Sequence, residues 1–112
     1  MSTATSGRAR EHRVRDHLIR HGWELIARSA GSRGAADLVM AHLEHGVALV
    51  QVGTARSKRL GPADRARLLH AAELCNALPL VATVHPGIGI TYRIATEGTA
   101  GTWAEYRPGE DL

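Results

Sequence analysis

An α/β domain, built as a central mixed β-sheet flanked by helices, is the fold class this sequence predicts, on three observations. Two stretches, 8–21 and 62–77, carry apolar residues at helical spacing. Four short runs near 23–29, 36–41, 47–52 and 79–84 have the length and the Val, Leu and Ile content of strands. The second helical stretch separates the third run from the fourth, which is the order a parallel crossover needs. A chain of 112 residues with 44% apolar content supports one core. Residues 1–7 are therefore expected as a flexible start and 8–112 as a single domain.

In the first helix Val14 and Leu18 fall on one stripe, and Glu11 lies on the same stripe one turn earlier. A carboxylate is thus aimed along the inward face. Gly22 stands where a helix ends on a left-handed residue. The first strand follows, then a loop, Ala30-Gly31-Ser32-Arg33-Gly34, whose two glycines mark a break. Asp37 opens the second strand, and His45-Gly46 turns the chain into the third, Val47–Val52. This third strand is almost wholly apolar, as expected of a strand covered on both faces. By the period of two, positions 47, 49, 51 and 53 share a face.

A basic loop over 54–60 leads to Gly61-Pro62, with proline suited to the first position of the second helix. Leu68, Ala71, Ala72 and Cys75 form its apolar stripe, so Cys75 is expected as a small core hydrophobe. After the fourth strand, Thr91–Ile94 and Trp103–Tyr106 are expected to close the domain as a hairpin.

The charge is unevenly spread. Residues 1–33 carry seven Arg against three acids, and residues 54–67 carry five cations against one, so each block has a net +4 within a chain of net +3. Arg outnumbers Lys thirteen to one, and guanidinium forks match phosphate geometry. High genomic GC content accounts equally for the Arg-for-Lys preference, but not for the clustering. Lone Cys75 permits no intrachain disulfide, and no apolar run reaches membrane-spanning length. The polar N-terminus lacks the apolar core of a signal peptide, so a cytoplasmic protein is expected.

Metal-dependent phosphodiester cleavage needs carboxylates to hold Mg²⁺ and a cation or base to orient water. Glu11, Asp37 and Gln51 are the residues that could supply such a pocket. Each also has a plainer role: Glu11 as a favourable charge at a helix start, Asp37 as a turn former, Gln51 as a satisfied amide. His17 and His21, four apart, have zinc-ligand spacing, but no Cys, Asp or Glu pattern completes a set. Their expected place is off the apolar stripe, facing solvent or phosphate.

The order of features is a helix with Glu11, a strand, Ser29-Ala30-Gly31-Ser32, Asp37 in Ala-Asp-Leu-Val, then Val50-Gln51-Val52-Gly53, a basic loop and a helix. Over residues 8–84 this order resembles the archaeal-type Holliday junction resolvases and their phage relatives, within the PD-(D/E)XK nucleases. The resemblance implies a restriction-endonuclease-like core and a homodimeric, Mg²⁺- or Mn²⁺-dependent endonuclease selective for branched DNA. It also implies metal ligands at Glu11, Asp37 and Gln51, with Ser32 beside them. The family's (Glu/Asp)-X-Lys becomes Gln51-Val52-Gly53, a degenerate form that removes one charge and the lysine.

Two readings follow. In one, a cation from elsewhere replaces the lysine; Lys58 is the only lysine, and it must fold back because five extended residues reach about 16 Å. In the other, catalysis is lost and the domain survives as a DNA-binding or accessory protein. In both, Arg8, Arg15, Arg33, Arg56, Lys58 and Arg59 are the expected contacts to the DNA backbone. A third possibility is a small interaction protein with no nuclease role.

Overall fold

The computed structural model describes residues 3–28, 35–54, 61–87 and 89–108. Ser32, Arg33, Arg56, Lys58 and Arg59 lie outside the described residues. The elements are α1 (Thr3–Arg20), β1 (Glu24–Arg28), β2 (Leu38–His42), β3 (Gly46–Thr54), α2 (Pro62–Cys75), β4 (Leu78–His85), β5 (Gly89–Ile94) and β6 (Glu105–Tyr106). A 3₁₀ turn, Ala100–Thr102, precedes β6. The first helix reaches back to Thr3 rather than beginning at residue 8.

The sheet runs β1-β2-β3-β4-β5-β6. Only β3 and β4 are parallel, with α2 as their crossover, and every other pair is antiparallel. The mixed sheet follows from connection length: a short turn can only reverse a strand, and a helix is needed to bring the chain back in the same direction. β5 and β6 pair across the closing segment as the sequence predicts.

Alternation along β3 sorts the core into two layers. Ala48 and Val50 join Val14, Leu18, Trp23, Leu38, Met40, Leu80 and Tyr92 beneath α1. Leu49 joins Leu68, Ala72, Val81 and Trp103 beneath α2. The core stripe of α1, Val14 and Leu18, is fully buried, as its spacing predicts.

Helix α1 ends on a Schellman arrangement. Trp23 N–H donates to Leu18 C=O at 3.1 Å and Gly22 N–H to Ile19 C=O at 3.1 Å. Gly22 has φ +91°, and a Cβ there would lie 2.9 Å from His42 Nε2, so both conformation and space demand glycine. Helix α2 ends the same way on Asn76, in the left-handed region at φ 54°.

Two expectations require correction. Cys75 is exposed, not a core residue, because the last turn of α2, residues 73–76, is exposed as a whole. His17 is not fully solvent-facing. It is half-buried, with Nδ1 2.9 Å from the Tyr92 hydroxyl. The edge strand β1 is also more exposed than its apolar sequence suggests. Its register shifts between Leu25 and Ala27, and Ile26 points outward at 61% exposure. A bulge of this kind twists an edge away from pairing with another chain.

Candidate functional site

Asp37 sits in the bend just before β2, against the C-terminal half of β3. Its backbone N–H donates to Val50 C=O at 2.9 Å, and its Oδ2 accepts the Val52 N–H at 2.8 Å. The first bond continues the β2–β3 ladder by one step, and the second pins the carboxylate. Burial raises the Asp37 carboxyl above its ordinary value, and the Val52 hydrogen bond pulls it back in part. No described cation pairs with it. A half-buried carboxylate whose charge is penalised by burial is the electrostatic setting in which a bound cation is most favourable.

Gln51 follows Val50 on β3. Its Nε2 donates to Ala35 C=O at 2.8 Å, which orients the amide and leaves Oε1 as its free acceptor. By alternation with Leu49, Gln51 belongs to the α2 face. Glu11 comes from the other face. It continues the Val14–Leu18 stripe and meets Arg28 at the end of β1, with Oε1 3.5 Å from Nη2. Arg28 lies opposite Leu38, the residue after Asp37. All three residues therefore stand at one end of the sheet, where β1 and β3 finish and β2 begins. Asp37 and Gln51 are joined to one another's strand ends by the Val52 and Ala35 hydrogen bonds, whereas Glu11 lies on the α1 side, paired with Arg28.

The sequence gives no sign that Arg28 partners Glu11. That contact joins a helix to a strand seventeen positions later and depends on how α1 crosses the sheet. Arg28, ion-paired with Glu11 and opposite Leu38, is a cation at this end of the sheet that sequence reasoning did not single out. Arg15 is bound to its neighbour Asp16, with Nε and Nη2 each 2.9 Å from Oδ1. Arg8 is exposed. Among the described residues no group of three or more His, Cys, Asp or Glu side chains gathers at metal-binding spacing. The donors at this end of the sheet are two carboxylates and an amide oxygen, hard oxygen ligands of the kind Mg²⁺ and Mn²⁺ take.

No protein-family model matches the chain, and no curated protein matches it. The fold, however, has solved counterparts. Its mixed six-stranded sheet with two helices is an α/β arrangement with a restriction-endonuclease-like core. One solved structure it is similar to is Hjc from Archaeoglobus fulgidus, a Holliday junction resolvase from an archaeal hyperthermophile. The TM-score is 0.66 at 18% identity, over 79% of this chain and 76% of that one. At this identity the likeness is one of fold. No described helix is long and apolar enough to cross a membrane.

Proposed function

We propose that this protein is a structure-selective DNA endonuclease, similar to the Holliday junction resolvases, which hydrolyses phosphodiester bonds with Mg²⁺ or Mn²⁺. The observation that carries the reading is Asp37: a half-buried carboxylate, held by Val52 N–H, with no described counter-cation, at the mouth of a nuclease-like sheet. Asp37 and Gln51 Oε1 would hold the metal, with Glu11 as the third ligand. The bound ion would supply positive charge to the scissile phosphate and acidify the attacking water. Arg28, ion-paired with Glu11 at 3.5 Å, would orient that carboxylate. Arg8 and the cations of the two basic blocks grip the backbone without reading sequence. The protein acts as a homodimer, because cutting a four-way junction symmetrically calls for two sites related by a twofold axis.

One feature favours a second reading, a catalytically inactive DNA-binding protein on the same fold. Gly53 has no side chain where the resembled family carries lysine, and Gln51 brings no charge. Incubating a four-way junction, a linear duplex and a single strand with the protein and Mg²⁺ or Mn²⁺, beside Asp37→Ala, separates the two. Junction cleavage by the wild type and not by the variant supports the enzyme. Tight junction binding without cleavage supports the inactive protein, and neither binding nor cleavage removes both.

A further inference from the structure

On the flank of α1 away from Glu11 and Arg28, a groove runs between the helix and β5. Its first section, about 270 Å³, is walled by Arg13, His17 and Arg20 and opens at Gly89 and Ile90. At His17 and Ile90 it continues into a second section of about 320 Å³, reaching His21 and Arg107. The lining carries Arg13, Arg20 and Arg107 against Asp16 and Glu105, a net +1 with its histidines neutral, and both acids are already held. Asp16 is held by Arg15, and Glu105 by Arg107 at 3.1 Å. Arg13 and Arg20 are both exposed and make no ion pair with a described residue.

The spacing is regular. Arg13, His17 and Arg20 follow one another at four and then three residues, so they form a single stripe on α1. Seven residues of helix rise about 10 Å, roughly three nucleotide steps along one strand of duplex DNA. The opposite lip is low. Gly89 has φ +127° and nothing within 4 Å of where a Cβ would be, so no side chain there keeps a polymer backbone out. The groove presents no base-reading set of amides, and its chemistry suits phosphates rather than bases.

We propose that this groove holds the phosphodiester backbone of a second DNA segment, distinct from the segment presented to Asp37. The proposal rests on the nuclease-fold reading above and deepens it: two gripping surfaces on opposite flanks of one helix favour a substrate with two diverging arms over a single linear duplex. Arg13 and Arg20 form the grip, and His17 and His21 line its floor as hydrogen-bonding groups.

The test is equilibrium binding of a labelled four-way junction and of a linear duplex, in EDTA, across a salt series, for wild type, R13A/R20A, R13K/R20K and Asp37→Ala. For R13A/R20A the junction affinity is expected to fall roughly tenfold, and the slope of log K against log salt to become shallower by about 1.8, the loss of two phosphate contacts. The linear duplex is expected to lose less. R13K/R20K should restore the slope, and Asp37→Ala should keep it. An unchanged slope in R13A/R20A, with wild-type junction binding intact, overturns the groove while leaving the nuclease reading standing. Equal losses on junction and duplex overturn the second-arm assignment. Absence of all DNA binding by the wild type overturns the underlying reading and the groove together. Binding of polyglutamate that competes with DNA and is lost in R13A/R20A would assign the groove to an acidic polypeptide instead. Both arginines are exposed, so the variants should melt as the wild type does.

Discussion

The Tyr106 hydroxyl and His45 Nδ1 lie 3.0 Å apart, although 61 residues separate them in sequence. His45 is in the β2–β3 turn and Tyr106 in the last strand, so this bond ties the first hairpin to the end of the chain. It belongs to a set of packed rings. His45 meets His42 edge-on and Trp23 at a tilt, while Tyr92, paired with Tyr106 across β5 and β6, is bonded to His17. Tyr106→Phe keeps the ring and removes the hydroxyl, and should cost about 0.5–1.5 kcal/mol in urea unfolding. Tyr106→Ala also leaves a cavity and should cost about 3–5 kcal/mol. An unaltered midpoint for Tyr106→Phe would show that the bond contributes nothing to stability.

The Asp37 carboxyl, raised by burial, makes a prediction about stability whose sign is fixed. The folded state holds the proton more tightly than the unfolded state. Stability therefore falls as pH rises through the unfolded and then the folded value, and the penalty is complete above both. Asp37→Asn removes that charge and can still accept from Val52 N–H through its amide oxygen, so it should melt a few degrees higher than the wild type at neutral pH without metal. Mn²⁺ should raise the melting temperature of the wild type and leave that of Asp37→Asn unchanged. Calorimetry in EDTA and in Mn²⁺ checks both statements, and a variant that melts lower in EDTA would contradict the first.

His17 gives the opposite dependence. Burial, with help from the charges of His21 and Arg20, lowers it from its ordinary value of 6.5. Asp16 and Arg13 on α1 and the Tyr92 hydroxyl on β5 also border it. The unfolded chain takes up this proton first, so stability is lost as pH falls below 6.5 and continues to fall until the folded value is passed. His17→Gln should flatten the melting temperature between about pH 7 and pH 5 while keeping a partner for Tyr92. Equal acid sensitivity in the two proteins would exclude His17 as a source of the dependence.

Much of this architecture is local, and local features are legible in sequence. The Val14–Leu18 stripe, Gly22 as a helix stop, Pro62 as a helix start and the mostly apolar run of β3 each encode their own conformation through spacing or backbone restriction. Asp37 and Gln51 were legible as candidates because strand order and alternation place them at adjoining strand ends. The contacts that were not legible are those made across the sheet. Glu11 with Arg28, His17 with Tyr92 and His45 with Tyr106 depend on how a helix crosses a twisted sheet, which no spacing rule reports. The start of α1 was missed because Thr3-Ala4-Thr5-Ser6-Gly7 is mostly weak helix formers. Cys75 was misplaced because its position fits the stripe but its turn lies beyond the cover of the sheet.

Gly53 offers the sharpest test of the catalytic reading. It lies within β3 opposite Thr83, is partly exposed, and is not among the residues with positive φ, so its backbone conformation suits a residue with a side chain. By the period of two it shares a face with Gln51. Lysine at this position would restore the ammonium found in the resembled family and would place it two residues from the candidate ligand. Gly53→Lys should raise junction cleavage by roughly 10²-fold or more if a missing cation limits the rate, a magnitude typical of one electrostatic group in a reaction centre. Combining it with Gln51→Glu should raise metal affinity as well, because a carboxylate replaces a neutral ligand. Asp37→Ala in either background should abolish the gain. If the wild type already cuts and Gly53→Lys changes nothing, another cation holds the place of the lysine, and Arg28→Ala, which should then cost a similar factor, identifies whether it is the one paired with Glu11.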